Sequence, residues 1–148
     1  MKWRLPIRSR RVALVITVSL AVLGMGSAYA TTHAASPGDT KQIATATLDH
    51  DIRVTLRAVH GSDDSATVFV SLSEFAGGAW KSLGRQPVGD RNGWLWPVVT
   101  DTGAICRFST SDVEPYPIEV RLLLSPSIGC SPATYNFHVD KYDELVQG

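Results

Sequence analysis

The chain has 148 residues, with 14 basic and 14 acidic side chains and two cysteines. After residue 30 nine basic groups face 14 acidic ones, a net charge of −5 with histidines neutral. One domain of ordinary size fits and two do not, and an acidic remainder with scattered basic residues argues against nucleic acid or an anionic membrane, both of which need clustered Lys and Arg.

Lys2, Arg4, Arg8, Arg10 and Arg11 precede an uncharged apolar run from Val12 to Met25, and small residues ending in Ala28-Tyr29-Ala30 follow. This is the pattern of a secretory signal peptide over residues 1–30, cut after Ala30. The alternative is an uncut N-terminal membrane anchor, but the apolar run is short of the ~20 residues a spanning helix needs. The style of the signal is bacterial. Ser9-Arg10-Arg11 with Leu14 partly resembles a twin-arginine signal, although Ala13 stands where that signal carries an aromatic residue. The expected product is a secreted protein that leaves no membrane segment behind.

Residues 31–40 are small and polar, with a Pro37-Gly38 break, and are expected to form a flexible leader. The ordered domain is placed at 41–148. A strand is expected over Gln42–Leu48, and period-two alternation is clear from Ile52 to Ala58 and from Ala66 to Ser73. Ile52, Val54, Leu56 and Ala58 take one face, with Arg53, Thr55 and Arg57 on the other. Gly61-Ser62-Asp63-Asp64 turns the chain between these two strands. Gly77-Gly78 marks a second hairpin, between Ser71–Phe75 and Ala79–Leu83. Gly84 to Gly93 reads as a loop, with further strands at Trp94–Thr100, Ala104–Ser109, Ile118–Leu124 and Thr134–Asp140. No stretch has a convincing amphipathic helix, and Lys141–Gln147 has room for a final turn.

About eight strands at this spacing point to an all-β fold, a single antiparallel β-sandwich that is immunoglobulin-like in general architecture, with a small β-barrel as the alternative. Cys106 and Cys130 are expected to pair, since the chain is bound for an oxidising compartment. The loop they would close is worth roughly 3.5 kcal/mol in the chain-entropy model. Their wide separation suits neither a redox pair nor a metal site.

Chemical motifs are sparse: the sequence has no Gly-x-Ser-x-Gly, no His-Glu-x-x-His, no phosphate-binding glycine loop and no EF-hand loop. His50, His60 and His138 are the possible general bases of the domain, and each has a plainer explanation at a strand end or on an exposed face. Asp49-His50-Asp51 invites a metal reading, but neighbours on an extended segment point to opposite faces, so a turn is the better expectation. Asp63-Asp64 reads the same way.

The strongest functional candidate is Trp94 and Trp96. On a strand their indoles would share one face about 7 Å apart, as in a sugar-stacking platform, with Asp90, Arg91 and Asn92 at its rim. Pro97 suggests an edge strand open to a ligand, whereas the competing reading puts both indoles in the core. No cofactor and no metal are expected. The sequence therefore points to a small noncatalytic binding domain, its partner an unknown protein or a cell-wall polysaccharide, with a carbohydrate module built on the two tryptophans as the alternative.

Overall fold

Alternation of apolar and polar side chains, broken at left-handed turns, organises the first half of the domain. A computed structural model describes residues 34–148; the expected signal peptide lies outside them. Four strands, β1 (Thr40–Leu48), β2 (Ile52–His60), β3 (Ser65–Ala76) and β4 (Ala79–Pro87), form an antiparallel sheet in that order. Leu48 pairs with Ile52, His60 with Ala66 and Ala76 with Ala79 across the three hairpins. In each turn two successive residues have positive φ: Asp49 and His50, Asp63 and Asp64, Gly77 and Gly78. That geometry matches the right-handed twist of the flanking strands, and Asp, Asn and Gly tolerate it best. Asp49-His50-Asp51 and Asp63-Asp64 are thus turns.

The end of the expected leader is a turn held against the sheet. Asp39 N–H donates to Ser36 O, Gly38 N–H to His60 O and His60 N–H to Asp39 O, each within 3.0 Å.

After Pro87 the chain leaves the sheet and returns as β5 (Trp94–Leu95), which pairs with Ser65 and Ala66 of β3. A single helical turn, α1 (Trp96–Val99), replaces most of the strand expected over Trp94–Thr100. Pro97 explains the difference: it sits in the first turn of the helix, where a missing N–H has no cost. Thr100 closes the turn through its backbone N–H and its hydroxyl, both donating to Trp96 O.

The second sheet contains β6 (Ile105–Thr110), β7 (Ile118–Ser125), β9 (Tyr135–Val139) and β10 (Leu145–Gln147) in the order β10-β9-β7-β6, and β8 (Gly129–Cys130) adds to β7. Two short strands were not expected. Cys130 lies in β8 and not in a loop, and Lys141–Gln147 ends in β10 and not in a turn.

Both sheets are antiparallel and face each other as a sandwich. Val54, Leu56, Val68, Val70 and Leu72 of the first sheet share one buried core with Ile118, Val120, Leu122, Phe137 and Leu145 of the second. At one edge Lys41 Nζ donates to Thr100 O, and at the other Gln86 Nε2 donates to Leu145 O at 3.2 Å. The disulfide Cys106–Cys130, with Cα atoms 6.0 Å apart, joins β6 to β8.

Candidate functional site

The two tryptophans do not form a platform. Trp94 is 5 % exposed, its indole N–H donates to Val88 O at 2.6 Å, and its ring meets the edge of Tyr135 from the second sheet at 6.0 Å. It is a core residue that links the sheets, with its polar edge satisfied as burial requires. Trp96, half-buried at the start of α1, packs at 4.8 Å against His60. With β5 only two residues long, the period-two relation between the indoles is lost at Leu95.

Asp90, Arg91 and Asn92 hold a different position from the one expected. Asp90 O accepts from Gly93 N–H to close a turn. Asn92, at φ 55°, donates its backbone N–H to Thr67 Oγ1 at 2.9 Å and accepts from that hydroxyl through Oδ1. Thr67 belongs to the outward side of β3, so the loop between β4 and β5 folds over the outside of the first sheet. Arg91 and Asn92 there line a groove with Phe69 and Arg85. Asp90 is exposed and lines none of it.

That outward face is the most distinctive surface of the described residues. Inward positions of β2 and β3 bury Val54, Leu56, Ala58, Val68, Val70 and Leu72, so the alternate positions point to solvent. Register then sets the rows. Arg53 lies beside Ser73, which lies beside Ser82; Thr55 lies beside Ser71, which lies beside Arg85; and Arg57 lies beside Phe69, which lies beside Pro87. A second groove, lined by Thr55, Arg57, Ser71, Ser73, Ser82 and Arg85, adjoins the first through Arg85.

Two of the arginines are held by aromatic rings. The guanidinium of Arg53 lies 3.7 Å over Trp80, itself 5.4 Å from Phe75, and that of Arg85 lies 4.6 Å over Phe69. A ring beneath a guanidinium satisfies its face by cation–π attraction and leaves its rim of N–H donors pointing outward. Among the described residues the one salt bridge is Arg107 Nε to Glu119 Oε2 at 2.6 Å, on the other sheet. No carboxylate shares either groove.

Carboxylates gather elsewhere. Asp49, Asp51, Glu74 and Asp143 surround Tyr116 at one end of the sandwich, where Tyr116 Oη donates to Asp49 Oδ2 at 2.9 Å. This bond, then desolvation, then the negative charges of Asp49, Glu114 and Asp51 raise the phenol above its ordinary value. The described residues contain no group of three His, Cys, Asp or Glu placed to share a metal ion.

Comparison with protein-family models, curated proteins and solved structures finds no match. The site therefore rests on its own geometry.

The arginine face also corrects the expectation that the basic residues are scattered. Arg53 and Arg57 stand on one face by simple alternation, but Arg85 joins them only because of an irregularity in β4. Leu72 pairs with Gly84 and Ser73 with Ser82, so Leu83 is the extra residue of a bulge. With strict alternation through an expected loop at Gly84, nothing in the sequence aligns Arg85 with Ser71.

His60, 7 % exposed at the end of β2, has both ring nitrogens without a partner among the described residues. Its ring contact with Trp96 places it beneath the groove-lining loop and away from any carboxylate cluster.

Proposed function

We propose that the protein is an exported, noncatalytic binding domain that takes its partner on the outward face of the first sheet. One observation carries this reading: an otherwise acidic domain devotes one sheet face to Arg53, Arg57 and Arg85 with no carboxylate between them, and two of the three are held in place by aromatic rings. Uncompensated like charges repel, so a face of this kind is favoured by an anionic partner. The groove that holds His60 is lined by Arg85 and Arg91 and by no carboxylate, so no His–carboxylate acid–base pair is assembled on this face.

Export is part of the proposal. The disulfide fits an extracellular location, and no helix among the described residues is long and apolar enough to cross a membrane. The first 30 residues act as the signal, cut after Ala30, which a mass measurement of the secreted product tests directly.

The binding reading is tested with wild type and an Arg57→Ser/Arg85→Ser double variant against a panel of immobilised polysaccharides and secreted proteins. Both positions are exposed and the stacking of Arg85 on Phe69 is worth about 0.5–1 kcal/mol, so the double variant should stay folded and lose no more than a few degrees in melting temperature. At least one ligand held by the wild type should lose about tenfold or more in affinity. A panel in which nothing distinguishes the two proteins removes this face as the binding surface.

A further inference from the structure

We propose that the partner is a carboxylate-bearing polysaccharide, laid across the outward face of the first sheet with its acid groups on Arg53, Arg57 and Arg85; the inference rests on the binding reading above. Arg53 and Arg57 are four residues apart on β2, a separation of ~13 Å along an extended strand, and Arg85 stands two strands away, ~10 Å to the side. No single small anion spans such distances. A polymer with repeating charges does.

What lies between the arginines narrows the polymer further. Ser71, Ser73, Ser82 and Thr55 fill the rows and give short hydroxyl donors and acceptors at strand spacing. A chain of sugars is dense in the complementary groups. An acidic protein surface would instead need several apolar anchors seated in dry pockets, and of the three aromatic rings on this face Trp80 and Phe69 are already covered by Arg53 and Arg85, which leaves Phe75 alone open, 47 % exposed. One open ring is also a poor track for single-stranded nucleic acid, whose successive bases stack on several. The planar guanidinium fork matches a planar carboxylate through two parallel hydrogen bonds, which selects a carboxylate over a bare negative charge.

The test expresses the full chain, purifies it in the form in which it accumulates, and measures binding at low salt to polygalacturonate, neutral dextran, a sulfated dextran matched to polygalacturonate in charge per sugar, and polyglutamate. Polygalacturonate should be retained and dextran should not, with affinity falling as salt rises. Arg57→Ser/Arg85→Ser should weaken binding about tenfold or more, and Arg57→Lys/Arg85→Lys should recover only part of that loss because Lys lacks the fork. Equal or tighter binding of polyglutamate overturns the polysaccharide, and tighter binding of the sulfated dextran overturns the carboxylate. Wild-type oligomers that the double serine variant dissolves would assign the face to a second copy of the chain, which also overturns the proposal. In each of those cases, loss on double substitution leaves the face standing as the binding surface. Retention of no probe overturns the polysaccharide alone if the wider panel still separates the two proteins, and the binding reading with it if the panel does not.

Discussion

Tyr116 reaches from the loop before β7 to the β1–β2 turn, so its hydroxyl joins the two sheets at their acidic end. Because the bond is donated by the protonated phenol, the folded protein holds that proton more tightly than the unfolded chain does. The sign follows: the stabilisation linked to this group is fully present below about pH 10, the ordinary phenol value, and is lost as pH rises through the higher folded value. The difference in phenolate absorbance between wild type and Tyr116→Phe should therefore have its midpoint above 10. Asp49→Asn, which tolerates the same left-handed turn, should lower the midpoint by removing a carboxylate from beside the phenolate. A midpoint at or below the ordinary value would mean that the bond does not form. Trp94 illustrates what else is decided at single residues. Its place in the core depends on Val88 O and the Tyr135 ring, neither of which is near it in an alternation pattern.

Among the elements, the hairpins β1–β2, β2–β3 and β3–β4 were legible because each rests on local physics, a period-two run ended by Asp-His, Asp-Asp or Gly-Gly at positive φ. The short elements were not. Strand β5 has two residues and α1 four, barely one period of evidence for either structure, and Pro97 fits both an edge strand and a first helical turn. For the same reason β8 and β10 escape a pattern search, and the binding face depends on a bulge that only pairing reveals. The disulfide was legible from compartment and count, but its mechanical role comes from β8. That strand has only two pairs with β7, so the covalent link to β6 does most to hold it. Replacing both Cys106 and Cys130 with Ala should cost about 3.5 kcal/mol by the loop-closure estimate, read from urea unfolding under conditions where the wild type stays oxidised. Amide exchange should rise first at Gly129–Ser131. A loss below about 1 kcal/mol would show that hydrogen bonds such as Ser131 N–H to Leu122 O hold β8 without the link.

Across the whole molecule, charge and closure divide the work between two regions. The arginines occupy the outside of one sheet, the carboxylates around Tyr116 occupy one end, and both are carried by a core that neither enters. That core is closed at its last strand. Leu145 is 5 % exposed and pairs with Val139, and its carbonyl accepts from Gln86 of the first sheet, so three residues near the C-terminus complete the second sheet and tie it to β4. Ending the chain after Glu144 would empty the Leu145 position, free the side chain of Gln86 and bare the outer edge of β9. Loss of one buried leucine alone costs about 2–5 kcal/mol, and an open edge strand invites pairing between molecules. The truncated protein should therefore unfold at clearly lower urea and scatter light at concentrations where the full chain is monodisperse. Binding of polygalacturonate by whatever fraction stays folded should survive, because β10 contributes nothing to the outward face of the first sheet. Unchanged stability after truncation would show that β9 is a sufficient edge and that β10 only covers it.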